Sequence, residues 1–157
     1  MFRHGPEAFE PTTIELQKLG YTVHGVSLPS VGANPHLQSF APDAEAVKST
    51  VNKVLSSGKD AVILYHSYGG AVGSEALADY VKELEAGTKK EGWGKIRRLV
   101  YIAAFVLPEG GSLMGGLGFK PLPWFIIDVS ACCFVSIGYC ESEKSYKGNW
   151  VHRFEWD

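Results

Sequence analysis

The sequence predicts an α/β fold, a three-layer sandwich built on a mostly parallel sheet. Three observations carry that prediction. "DAVILY" and "IRRLVYIAAFV" are apolar, β-branched runs of the kind a parallel sheet buries. Amphipathic helical stretches precede and separate them. The connections are short, which leaves strand–helix alternation as the simplest arrangement.

In chain order, Pro6 to Leu19 places Phe9, Ile14, Leu16 and Leu19 on one helical face, and Gly20 stands where a helix stops. "YTVHGVSLP" reads as a short strand over residues 21–27, ended by Pro29. "SVGANPHLQSFAP" is a loop by its Gly, Asn and Pro content. From Asp43 a helix is expected, because Ala44, Val47, Val51, Val54 and Leu55 recur at three and four and Gly58 closes it. A strand over residues 60–65 follows. A helix from about Gly70 to Glu85 comes next, with Ala71, Leu77, Val81 and Leu84 facing inward. The loop "AGTKKEGWGK" leads to the strand 96–106, stopped by "LPEGG". Residues 1–114 thus form the expected core domain. Residues 115–157 read as a glycine-rich linker and an atypical C-terminal tail.

The chain has 157 residues, enough for one domain with a real core, and its net charge of −2 comes without long runs. That balance gives no electrostatic footprint for nucleic acid or an acidic membrane. The most apolar window, Leu122 to Tyr139, carries Asp128 and is a poor membrane span. No secretory leader is visible after Met1. Cys132, Cys133 and Cys140 are three, with no zinc spacing around them, so a reduced, cytoplasmic protein is expected.

Chemistry concentrates in "YHSYGG", residues 65–70, between an apolar strand and an amphipathic helix. A serine there would sit on a tight strand-to-helix turn, its hydroxyl presented at the carboxyl end of the sheet. Gly69 would meet the need for a small neighbour, and Gly70 would let the helix approach the sheet. The Tyr68 N–H would point at a developing oxyanion, aided by the positive end of the helix. The other reading open to Ser67 is an ordinary helix cap. Tyr65 occupies the first small position of a Gly-x-Ser-x-Gly pattern.

"AVILYHSYGGAVGSEAL", with "IRRLVYIAAFVLPEGGSL" after it, resembles the α/β-hydrolase fold superfamily, near its small-esterase-like members. "HGPEAFEPTTIELQKLGYTVHGVSLPSVG" resembles the family's stretch from the end of its third strand through its fourth. The likeness spans about Arg3 to Met114. It implies a serine hydrolase acting on a small carboxylic ester or amide, with Ser67 as nucleophile, Tyr68 as backbone oxyanion donor, and His66, Gly69 and Gly70 completing the elbow. No metal or organic cofactor is implied, and no nucleic acid partner.

In the family the acid and then the histidine follow the serine. Of the groups after Ser67, Glu109 and Asp128 read as surface charges and His152 as part of a solvated terminus, so no triad assembles. His66 reads as structural, while His24 and His36 have no motif around them. Phe40, Phe105, Leu107 and Trp124 are candidates for pocket or core. The chain is therefore expected to be truncated at both ends, an incomplete α/β-hydrolase core with impaired turnover. The competing expectation is a catalytically dead fragment or ligand-binding remnant. Residues 21–27 are expected to pair directly with 60–65, or else the apolar tail to fill the gap between them. Exposed sheet edges would favour association. Beyond Asp128 the family-like character fades. Val129-Ser130 is what an in-frame splice donor would encode, so the tail is expected to be translated intron or a gene-model error.

Overall fold

The computed structural model describes residues 5–88, 90–118 and 120. The order is a 3-10 turn (Pro6–Phe9), α1 (Glu10–Lys18), α2 (Ala41–Ser56), β1 (Ala61–His66), α3 (Gly69–Ala76), α4 (Ala78–Glu85), β2 (Ile96–Ile102) and a short α5 (Leu113–Gly116).

β1 and β2 pair in parallel, joined by the α3–α4 crossover, with Tyr65 opposite Tyr101 and His66 opposite Ile102. A bulge between Ala61 and Val62 leaves Arg97 over. Asp60 staples this point: its carboxylate accepts from the Lys95 N–H at 2.8 Å and from Arg97 Nε at 2.7 Å. The Lys95 bond first, and Arg97 after it, hold the Asp60 carboxyl below its usual range.

The strand alternates as a strand should. Tyr65 is buried and Ala61 and Ile63 pack on the core, while Val62, Leu64 and His66 are exposed. The expectation that this run is covered on both faces is corrected accordingly. Among the described residues α2 and α3 cover one face, and on the other Phe9 of the 3-10 turn meets His66.

That helical layer is built mainly by α2. Ala44, Val47, Val51 and Leu55 form its buried stripe, against Tyr65, Val72, Ala76 and Leu77. Burying each larger member contributes about 1.5–3 kcal/mol. Pro42 suits the first turn, and Gly58, at φ 77°, lets the chain leave the helix in a left-handed conformation.

Several expectations are corrected. The single helix to Glu85 is two, broken at the buried Leu77, so α4 turns away and Val81 and Leu84 are exposed. Leu77 keeps its inward place, and Val72 takes the central one. Phe9 and Leu19, flanking α1, and Ile14 within it are exposed, and no residue of α1 is buried. β2 stops at Ile102, because Ala103 adopts φ 44°.

Residues 21–27 form no strand. Val26 and Leu28 pack against the core, yet the segment makes no ladder with β1. Side-chain pattern alone does not make a strand without a hydrogen-bonding neighbour. The alternative filling by the tail lies outside the described residues, as do Cys132, Cys133 and Cys140. No helix among the described residues is long and apolar enough to cross a membrane.

Candidate functional site

β1 ends at His66, and Ser67 turns the chain into α3 with φ 52°. A non-glycine residue in that left-handed region is strained by about 1–3 kcal/mol and persists only where its surroundings hold it. Here the neighbouring strand does so. The Ser67 N–H donates to the Ala103 carbonyl at 3.2 Å, and the Phe105 N–H donates to the Ser67 carbonyl at 3.0 Å. Ala103 is itself left-handed, so the two parallel strands end in two strained residues bonded side by side.

This geometry rules on the helix-cap reading. A capping serine keeps extended backbone and accepts a bond from the first turn. Ser67 has the wrong φ, the residue in the cap position of α3 is Tyr68, and no side chain caps that end. Ser67 sits instead on a sharp strand-to-helix turn, half-buried at the carboxyl end of β1.

The two glycines after the serine divide. Gly69 faces open space among the described residues and has no left-handed φ. Gly70 is buried against the chain after β2, where a Cβ would collide with the Phe105 carbonyl oxygen. Gly73 lies against the Tyr65 ring, leaving no room for a Cβ. Tyr65 is thereby explained. Its ring is 4% exposed, fills the space over Gly73 and lies 4.9 Å from the Tyr101 ring. The small residue that lets helix and strand approach is on the helix instead of two before the serine. Ser74 Oγ and the Tyr101 hydroxyl are 3.0 Å apart, whereas the Tyr65 hydroxyl is buried with no partner among the described residues. Burial pushes the Tyr65 phenol well above its ordinary range.

One group escaped sequence reasoning. Asp43, in the first turn of α2, is fully buried. Its carboxylate accepts from Ser30 N–H at 2.8 Å, from Ser30 Oγ at 2.6 Å and from the Tyr68 hydroxyl at 3.2 Å. Burial first, then the Asp43 charge and hydrogen bond, push the Tyr68 phenol up. The only hint in the sequence is an acid near the start of a helix, which is commonplace.

Among the described residues, none of the three histidines, His24, His36 and His66, is hydrogen-bonded to the serine. The His66 ring meets Phe9 edge-on, 5.4 Å between centroids. His24 lines a cleft of about 150 Å³ with Lys53 and Lys59, and His36 is an exposed loop residue. Among the described residues no histidine or carboxylate is hydrogen-bonded to the Ser67 hydroxyl. Glu109 is exposed. Asp128, His152 and Trp124 lie outside the described residues. A larger cleft of about 260 Å³, between α2 and the α3–α4 pair, is lined by Phe40 and Lys48 but not by Ser67. Phe105 and Leu107 are half-buried beside the turn's exit. No group of three or more metal-ligating side chains gathers among the described residues.

The sequence profile of the Alpha/beta hydrolase family matches residues 2–136. The chain belongs to the α/β-hydrolase family. An α/β hydrolase, nvfD, of Aspergillus novofumigatus is 36% identical over 114 residues, 73% of this chain and 44% of that protein. A probable hydrolase, R7, of a Phoma species is 32% identical over 123 residues, 73% of this chain and 46% of that protein. A carbendazim hydrolyzing esterase of a Nocardioides species is 34% identical over 122 residues, 76% of this chain and 45% of that protein. The chain therefore spans somewhat under half the length of these relatives. No solved structure matches it. The profile match runs past Asp128, into the stretch where family-like character is expected to fade. Two parallel strands under one helical layer are an incomplete α/β-hydrolase core.

Proposed function

We propose that Ser67 is the nucleophile of a serine hydrolase acting on carboxylic esters or amides. The observation that carries this reading is the left-handed Ser67 at the junction of β1 and α3. Strain at a serine between a strand and a helix fits a turn that presents a nucleophile, and an ordinary cap does not require it. In the reaction, Ser67 Oγ attacks the carbonyl carbon and its proton passes to a base. The Tyr68 N–H, at the start of α3, stabilises the oxyanion, and collapse expels the alcohol or amine. Water then releases the acid from the acyl-enzyme. The hydrolase names of the relatives support the reaction class, and the esterase among them supports an ester substrate.

The described residues supply the nucleophile and one oxyanion donor but bring no base to Ser67. The 157-residue chain is accordingly proposed to turn over slowly by itself, since loss of a triad base typically lowers rate by several powers of ten. The contrasting reading, a dead remnant that only binds ligand, predicts no serine reactivity under any condition.

Hydrolysis of a p-nitrophenyl ester by the chain and by Ser67→Ala separates the two, with and without added imidazole as an external base. Ser67-dependent hydrolysis that rises with imidazole supports the proposal. A rate identical in both proteins with imidazole present refutes it.

A further inference from the structure

We propose that Asp43 is a positioning residue for the serine turn, acting through the Tyr68 hydroxyl. The proposal deepens the reading of Ser67 as nucleophile and rests on it for its chemical consequence.

A wholly buried carboxylate is unfavourable unless its lone pairs are used. Leu55 and Val72, as fully buried as Asp43, show that this layer is otherwise apolar. Asp43 is nevertheless well provided for. Ser30 donates twice, Tyr68 once, and the first turn of α2 adds its positive end. These donors come from two places far apart in sequence. Ser30 lies in the loop before α2, and Tyr68 is the residue directly after Ser67. One anion thus joins the 28–40 loop, α2 and the serine turn.

The turn needs such an anchor. Ser67 and Ala103 both hold left-handed backbone, and backbone bonds to the residues after β2 restrain one side of Ser67. The other side continues into Tyr68, where the backbone changes from left-handed to helical, with φ −54°. A ring tied to a buried anion fixes Tyr68 in space, and with it the N–H assigned to the oxyanion. A bond to a charged acceptor is roughly twice as strong as a neutral one, which suits a strained segment.

The test is amide hydrogen exchange on the 157-residue chain, comparing it with Asp43→Asn and Tyr68→Phe. Tyr68→Phe leaves Asp43 and both Ser30 bonds in place, so it remains informative if Asp43→Asn fails to fold. The amides of Ser67, Gly70 and Phe105, all bonded within the turn, are expected to exchange faster in Tyr68→Phe. Their acceleration should exceed that of the Val51 and Leu55 amides in α2 by roughly tenfold, the loss expected for one charge-assisted bond. Equal acceleration at both places means Asp43 and Tyr68 only stabilise the whole fold, and overturns the proposal. No acceleration at the turn also overturns it. Labelling of Ser67 by a fluorophosphonate, run in parallel, tests the nucleophile separately. If the parent chain does not label with imidazole present, the Ser67 reading fails, while the exchange data still decide the role of Asp43.

Discussion

Two tyrosines flank the serine, and removing their hydroxyls should move stability in opposite directions. Tyr68 gives its hydrogen to a fully buried carboxylate at 3.2 Å. A hydrogen bond to a charged group is worth about 1.5–3 kcal/mol. This one is long and Tyr68 is half-buried, so the lower end applies, and Tyr68→Phe should destabilise by about 1.5 kcal/mol. Tyr65 is more deeply buried, yet its hydroxyl has no partner among the described residues. An unsatisfied buried hydroxyl costs about 1–3 kcal/mol. Tyr65→Phe keeps the ring over Gly73 and against Tyr101 and should stabilise by about 1 kcal/mol. At roughly 4 °C per kcal/mol, Tyr65→Phe should raise Tm by about 4 °C and Tyr68→Phe lower it by about 6 °C. Thermal unfolding followed by far-ultraviolet circular dichroism reads both. A Tyr65→Phe protein less stable than the parent by about 1 kcal/mol would show that its hydroxyl is satisfied, and would refute the packing described for the turn.

The phenols also set an alkaline limit. Both are raised above the ordinary value of about 10, so the folded state keeps protons that the unfolded chain releases. Stability is therefore fully present below pH about 10 and falls above it, by up to about 1.4 kcal/mol per pH unit for each tyrosine. Urea midpoints across this range should show that fall, with a shallower slope in Tyr65→Phe. Gly70→Ala drives a Cβ into the Phe105 backbone and should destabilise by about 3 kcal/mol, whereas Gly69→Ala, facing open space, should change denaturant midpoints little. Ser67→Gly relieves the left-handed strain that Ser67→Ala retains and should be the more stable of the two by about 1 kcal/mol.

The parts of this protein legible in the sequence were those whose cause is local. α2 follows from the spacing of Ala44, Val47, Val51 and Leu55, and β1 and β2 from their β-branched runs. The serine turn announces itself by strand, serine and glycine in nine residues or so. What stayed hidden depends on partners elsewhere. Residues 21–27 alternate like a strand, but strand formation needs a neighbour to bond, and β1 is not that neighbour. Tyr65 looked like a flaw because its accommodation lies at Gly73, eight positions on in α3. Gly70, by contrast, was legible: it is expected to let the helix approach the sheet, and it lies against the Phe105 backbone. Asp43 looked like any acid at a helix start until Ser30 and Tyr68 were seen to close on it.

The central proposal, that Ser67 is a nucleophile to which the described residues bring no base, is tested most directly by covalent labelling. The folded chain is treated with a fluorophosphonate, with and without imidazole, and the modified residue is located by peptide mass spectrometry. The account predicts slow modification confined to Ser67, accelerated by imidazole and absent in Ser67→Ala. No modification of Ser67 with imidazole present would contradict the nucleophile assignment, and rapid modification without it would contradict the proposed slow turnover.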